Sequence, residues 1–494
     1  MNQTGRTIAK NASVLFISQI TTWGLSLVII ILLSRYLGAA GVGQIHLANS
    51  IWAIMAMVME FGMNTHLTKE ISRDPGRANK LVSVSLVLRF FLFLVSALVV
   101  LIYLQFAGYA PQTVAVIIVT GFAVFLSETG ATYGAALKGL ERMEYTSLAE
   151  IVARLFTTFV IIGLVLLKYD IIAIVAVGIF SALIILVIEF VAFHRLTHSG
   201  FNFQRTAVKE MLTSSFPYLV VNIFLVLYMQ VDIIVISLLV NEKGVGWYGA
   251  ADQLFGTLLF IPTIFMTAVF PVLSRMYANS SESLPRLMNK SFNLLLLLSV
   301  PVGFGVMIIA NPLVVLLFGE DFANSGPILA VMGIVIILTY QNMLLGQFFI
   351  SIDKQKVWTW VMAVATLATV GLDIILVPWC QRAFGNGAIG GSIAFVITEA
   401  GMLIVALYAL PKGMITWNST KRSLRAVLAG LGMVAVTWWA RNLFLPIPIA
   451  LGVISYVGFI ILLQAVSHED WELLKSIGTA VLRRLQKKQT QPAA

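Results

Sequence analysis

Polar and apolar positions along this chain alternate in blocks of tens of residues, not at the spacing of a strand or of a surface helix. Runs of Leu, Ile, Val, Phe and Ala are separated by short segments rich in Lys, Arg, Asp, Glu, Gly and Pro. About 20 apolar residues, rising about 1.5 Å each in a helix, cross the ~30 Å hydrocarbon core of a bilayer. Fourteen runs meet that length: 12–34, 45–67, 81–104, 113–137, 147–167, 171–194, 214–240, 247–274, 289–310, 325–350, 357–379, 388–410, 424–443 and 446–466. The segments between them are too short for a separate soluble domain. The pattern therefore predicts an all-α integral membrane protein with about 14 transmembrane helices. From Ser467 the pattern changes. Trp471, Leu474, Ile477, Val481 and Leu485 recur at helical spacing opposite Lys and Arg, which predicts a basic interfacial helix and then a disordered end.

Composition excludes the main alternatives. Hydrophobic residues make up 59% of the 494 and charged residues 11%, with a mean hydropathy of +0.94. An ordinary soluble domain carries about 25% charged residues, so a cytosolic enzyme, a secreted domain and a nucleic-acid binder are all set aside. The only cysteine, Cys380, rules out a disulfide within the chain and a cysteine metal cluster. The five histidines are scattered without a metal-binding spacing. The first run is too long for a signal-peptide core and has no small-residue cleavage site after it, so it is expected to be the first span.

The net charge of +10 matters through its placement. With the amino terminus in the cytoplasm and alternating spans, the opposite side holds only Arg35, Lys168, Lys243, Arg382 and Arg441. Arg89 and Arg154 fall within spans, and every other one of the 32 Lys and Arg is cytoplasmic. Both termini are expected to be cytoplasmic.

An internal repeat is also legible. Gly41-Val-Gly43 and Gly244-Val-Gly246 each lead into a span, 203 residues and six helices apart. On that offset Asn49 matches Asp252. The charged turns Leu140–Glu144 and Ile352–Lys356 stand at a second pair of matching places. An even number of helices between copies makes the repeat parallel, with its axis along the membrane normal. Transporters of this design bind substrate at the repeat interface. The expected lobes are 1–200 and 201–411, followed by two extra helices at 412–466 and the basic tail 467–494.

Charges inside spans are costly and mark function or buried pairing. Glu60, Arg89, Glu128, Glu150 and Arg154 lie at similar depth in the first half. They read either as a structural ion-pair network or as the polar floor of a cavity whose arginines bind an anion. Glu150 and Arg154, one turn apart, are also placed to neutralise each other. In the second half Asp232, Asp252 and Asp373 have no cation at their depth. They point to Na⁺ or H⁺ coupling, or else to a wet cavity wall. Glu189 and Glu399 occupy equivalent helices, with Glu189 expected near the solvated end. Prolines 217, 262, 271 and 301 are expected to bend their helices.

An ordered set of short motifs then carries a resemblance: Arg35-Tyr-Leu-Gly-Ala-Ala-Gly-Val-Gly43, Glu60-Phe-Gly62, Lys138-Gly-Leu-Glu-Arg142, Val231-Asp232, Gly244-Val-Gly-Trp-Tyr248, Phe270-Pro-Val-Leu-Ser-Arg275 and Phe318-Gly-Glu-Asp-Phe322. Together, over residues 1 to about 400, the chain resembles the polysaccharide-flippase branch of the multidrug/oligosaccharidyl-lipid/polysaccharide exporter superfamily. The resemblance implies two lobes around a central cavity and alternating access. It implies translocation of undecaprenyl-diphosphate-linked sugar units across the plasma membrane for O-antigen, capsule or exopolysaccharide. Arg89, Arg154, Arg35 and Arg275, with Glu60 and Glu128, are the expected substrate-binding set. The implied partners are the lipid-linked anionic oligosaccharide, membrane lipids, and polysaccharide polymerase and chain-length machinery. No cofactor is expected beyond a Na⁺ or H⁺ coupling ion, and no nucleic acid. A cation-coupled multidrug antiporter and a peptidoglycan-precursor flippase are the alternatives within the superfamily. A membrane polymerase is the alternative enzyme, disfavoured because no nucleophile–base pair is evident.

Overall fold

The computed structural model describes residues 3–197, 200–279 and 282–466. In chain order the helices are α1 (Gln3–Glu60), α2 (Met63–Arg73), α3 (Ala78–Ala107), α4 (Pro111–Gly139), α5 (Met143–Leu166), α6 (Ile171–Thr197), α7 (Thr206–Leu239) and α8 (Glu242–Leu258). They continue with α9 (Phe260–Ala278), α10 (Leu284–Phe318), α11 (Ser325–Ser351), α12 (Gln355–Phe384), α13 (Ala388–Ala409), α14 (Trp417–Thr437) and α15 (Pro446–Leu462). Twelve helical stretches among the described residues are long and apolar enough to cross a membrane. The first, Gly24–Arg73, has 50 residues and at about 1.5 Å per residue is more than twice the core thickness. Gly38, at φ 66° and ψ −177°, breaks it into two crossings. With α15 as a short fourteenth crossing of 17 residues, the span count read from hydropathy is recovered. The amphipathic stretch expected after Ser467 lies outside the described residues.

Two prolines show how the bundle repairs its own backbone. Pro262 cannot donate to the carbonyl four residues earlier, and the expected eighth span breaks there into α8 and α9. The freed Leu258 carbonyl accepts the Tyr340 hydroxyl at 2.7 Å. Pro301, inside α10, likewise frees the Leu297 carbonyl, which accepts the Tyr456 hydroxyl of α15 at 2.9 Å. Within hydrocarbon, an orphaned carbonyl costs several kcal/mol, so each tyrosine both satisfies a bend and pins a neighbouring helix.

The chain divides into two compact units. The first combines Met1–Gln253 with Val314–Ile328 and Thr359–Thr398. Its core packs Met63, Leu67 and Ile71 of α2 against Leu81 and Val84 of α3, Ala136 and Leu137 of α4, and Phe193 of α6. The second combines Leu254–Leu313, Leu329–Trp358 and Glu399–Ala494. There Val300 of α10 meets Ala429 and Met433 of α14 and Ile460 of α15. Gly430 permits this approach, since a Cβ there would meet the Val300 and Phe304 side chains.

Leu140–Glu144 and Ile352–Lys356 do adopt the same turn. Glu141 and Asp353 both have φ 59°, and Arg142 N donates to Leu137 O as Lys354 N donates to Phe349 O, each at 2.8 Å. The same bonding closes α5 at Lys168 and α15 at Gln464. It is a general helix ending, not a signature of the repeat. The stronger mark of the repeat lies elsewhere.

Candidate functional site

The two Gly-Val-Gly segments cross each other within the first unit. A Cβ added to Gly43 would lie 2.8 Å from the Glu242 carbonyl carbon, and one added to Gly246 would lie 2.7 Å from the Ala39 carbonyl carbon. On the 203-residue offset Ala39 corresponds to Glu242, so the contact is reciprocal: each glycine meets the repeat-mate of the residue that meets the other. Such a contact is isologous, the signature of a local two-fold axis. Only glycine lets the two backbones approach so closely.

Asp321, between α10 and α11, ties the crossing together. Its Oδ2 accepts the Ala39 amide at 2.6 Å, its Oδ1 pairs with Lys243 Nζ at 2.8 Å, and its carbonyl accepts Trp247 Nε1 at 2.9 Å. The Ala39 amide and the Lys243 ammonium hold this carboxyl below the usual carboxylate range. Arg35 stands beside it. Its Nη2 and Nε donate to the Leu316 and Leu317 carbonyls at 2.6 and 3.0 Å, capping the end of α10. Two of the guanidinium nitrogens are thus given to backbone, which makes Arg35 part of the latch, while Nη1 keeps its N–H donors. The sequence marks Asp321 only as part of the Phe318–Phe322 motif, with no role assigned to it.

The charges of the first half separate into two groups. Arg89, 1% exposed, donates to the Glu128 carboxylate at 2.6 Å, to the Glu128 carbonyl and to Asn64 Oδ1. Glu60 lies close to Arg89 and hydrogen-bonds Asn64. Of the two roles considered, Arg89, Glu60 and Glu128 thus take the form of a packing network joining α1, α2, α3 and α4. Glu150 and Arg154 form no ion pair with each other. Both line an open cavity of about 640 Å³ bordered by α1, α4, α5 and α6, with Asn49, Thr120, Ser127 and Thr157. A second cavity of about 600 Å³ shares Ser127, Glu150 and Ile185 with it and reaches Thr68, Lys69, Lys138 and Glu189. Lys69 and Lys138 count as loop cations in the sequence, yet they line this space. Glu189 is 4% exposed, which corrects its expected position at the solvated end. Arg275 is exposed in the last turn of α9 and is not among the residues that line either cavity.

The second-half carboxylates gather in the first unit. Tyr248 donates to Asp232 Oδ2, and Asp373 lies within hydrogen-bonding reach of Asp232. Asp232 Oδ1 and both Asp373 oxygens have no donor, and Asp373 is fully buried. Asp252 stands one turn beyond Tyr248 on α8, half-buried. Adjacent carboxylates away from water hold a proton or a cation between them. Among the described residues no three His, Cys, Asp or Glu side chains form a metal cluster.

Comparison with known proteins agrees with the fold. Residues 8–277 match the profile of the family described as "Polysaccharide biosynthesis protein", and residues 217–376 match the MatE profile. The chain is 22% identical over 409 residues to the probable low-salt glycan biosynthesis flippase Agl15 of Haloferax volcanii, covering 80% of this chain and 81% of that one. Its fold is similar to lipid II flippase MurJ in an inward closed conformation, with a TM-score of 0.75 at 16% identity over 91% of this chain and 98% of that one. It is also similar to an inward-facing multidrug resistance MATE transporter, with a TM-score of 0.64 at 16% identity over 78% and 94%.

Proposed function

Because the chain belongs to the polysaccharide biosynthesis protein family, we propose that it is a flippase for lipid-diphosphate-linked oligosaccharides. In this role it acts by alternating access in the plasma membrane, with both termini cytoplasmic. One observation carries the proposal: spanning helices with apolar outer faces border an open cavity whose lining is about half polar, with Arg154, Glu150, Asn49 and several hydroxyls. Hydrocarbon-soluble cargo needs no such lining, whereas a sugar head group does. The similarity to a probable glycan biosynthesis flippase supports the same substrate class, and undecaprenyl diphosphate is the carrier proposed here.

In the mechanism, the glycine crossing and the Asp321 latch hold one face shut, and that face is the outer one. Arg154 offers an uncommitted guanidinium to the anionic head group. Asp232 and Asp373 bind Na⁺ or H⁺ beside the crossing helices. Uptake of that ion is coupled to release of the latch and separation of the turns.

The test is deletion of the gene in the host. A flippase defect removes surface glycan and accumulates the complete lipid-linked unit, identified by mass spectrometry, on the cytoplasmic leaflet. A polymerase defect instead leaves single units exported. Normal surface glycan after deletion refutes the proposal.

A further inference from the structure

The two halves treat one buried carboxylate differently. Glu399 on α13 is 2% exposed, and Asn342 of α11 donates to its Oε2 at 2.7 Å and to its carbonyl at 2.9 Å. Glu189 on α6, the helix in the equivalent place, is its counterpart, 210 residues earlier. On the 212-residue offset of the turns that end α4 and α11, Asn342 corresponds to Gly130. Gly130 and Gly134 face Glu189, and a Cβ at Gly134 would lie 2.9 Å from Glu189 Oε1. Gly134 reaches the carboxyl with its backbone N–H alone, neither glycine has a side-chain donor to add, and Glu189 Oε2 is buried without a partner. It borders the 600 Å³ cavity. The second half satisfies its carboxylate from within, while the first half keeps an acceptor and leaves space beside it.

The surroundings decide what fits. The space is far larger than an ion needs and lies in the range of about 300–1,000 Å³ usual for small-molecule sites. Lys69 and Lys138 in its wall disfavour a cation, and Glu150 with Glu189 disfavours an isolated phosphate. A polyhydroxylated, uncharged group suits both: its hydroxyls donate to Glu189 and accept from Lys138. We propose that this cavity binds a sugar residue of the translocated head group, with Glu189 as the specificity-determining acceptor. The proposal rests on the flippase reading and places part of the cargo inside the first half of the chain.

The experiment uses the full-length protein with Cys380→Ala, to leave no native thiol, and Ser127→Cys as reporter. Ser127 is exposed and lines both cavities. Alkylation by a small maleimide is timed in membrane vesicles from a host that makes the lipid-linked oligosaccharide, and from one lacking the first glycosyltransferase. The sugar-bearing lipid is expected to slow alkylation about tenfold, the worth of one hydrogen bond to a charged group. Glu189→Gln, and Gly130→Asn, which copies the second half, are each expected to abolish that protection and to lower glycan export at unchanged protein abundance. Protection that persists in both variants overturns the site. So does protection by Na⁺ alone in the sugar-free vesicles, which identifies a cation site instead. If gene deletion abolishes export while both variants export normally, the site falls and the flippase reading stands. If deletion itself leaves export intact, the flippase reading falls.

Discussion

Replacing Gly246 with alanine places a methyl group where two backbones already touch. Its Cβ would lie 2.7 Å from the Ala39 carbonyl carbon and 3.1 Å from Ala39 Cα, where ordinary contact begins at 3.4 Å. None of these atoms belongs to a side chain that can rotate away, and the Ala39 carbonyl oxygen lies closer still, so the turns must separate by more than an ångström. Overpacking of this kind costs about 1–3 kcal/mol. The cost falls only on the state in which the turns touch, because a state with the turns apart has room for the methyl. A penalty of 2 kcal/mol therefore shifts the balance toward separated turns by about 30-fold. The assay is pulsed EPR between spin labels at Ala40→Cys and Glu320→Cys, both exposed, in a Cys380→Ala background in lipid nanodiscs. The unaltered crossing is expected to give mainly one short distance, and Gly246→Ala mainly a longer one. Gly43→Ala should do the same because the contact is reciprocal. The double variant should shift little further, since one separation relieves both clashes. An unchanged distance distribution in both single variants, with the protein monodisperse, refutes the reasoning.

The latch itself separates weak from strong contacts. Lys243 and Asp321 are 47% and 46% exposed, so Lys243→Ala should change the same distances by less than about 1 kcal/mol of bias, whereas Asp321→Ala also loses the Ala39 bond and should change them more. Because the Asp321 carboxyl is held below its ordinary value of 3.8, its contribution is full above that value and fades only as pH falls through the lowered one; the EPR distances should show no Asp321-dependent change between pH 5 and 8. Arg89→Ala leaves the half-buried Glu128 without its cation and should cost about 3 kcal/mol, seen as lost protein abundance rather than as a folded, inactive transporter. Tyr456→Phe orphans the Leu297 carbonyl and should lower thermal stability by about 1–3 kcal/mol, measured by scanning fluorimetry in detergent. Asp373→Asn should remove the dependence of export on a Na⁺ or proton gradient while abundance holds; gradient-dependent export in that variant would sink the coupling role.

The spans were legible because hydropathy over 20 residues is a property of the chain alone. The repeat was legible from Gly-Val-Gly because a close backbone crossing admits little else. What stayed hidden depends on partners distant in sequence. Asp321 meets Ala39 across 282 positions, and no local pattern marks a loop carboxylate as a latch. Arg89 and Arg154 looked alike as charges within spans, and only packing assigned one to Glu128 and the other to a cavity. Spacing also suggested that Glu150 would neutralise Arg154, and its charge does act on Arg154, but no direct ion pair closes and both side chains line the cavity. Lys69 and Lys138 helped to set the topology yet also line a cavity, because a lysine stem reaches several ångströms from its backbone.

The reciprocal glycine contact bears on ancestry. A surface that is its own complement has to arise only once: a half-length chain carrying it would have paired with a second copy of itself, making the crossing twice from one sequence. Joining the copies into one reading frame keeps that pairing and frees each position to change independently. The glycine at 130 and the asparagine at 342 are what such freedom permits, one copy leaving its buried carboxylate without a side-chain donor and the other supplying one. A symmetric pair of identical chains has no means of doing both.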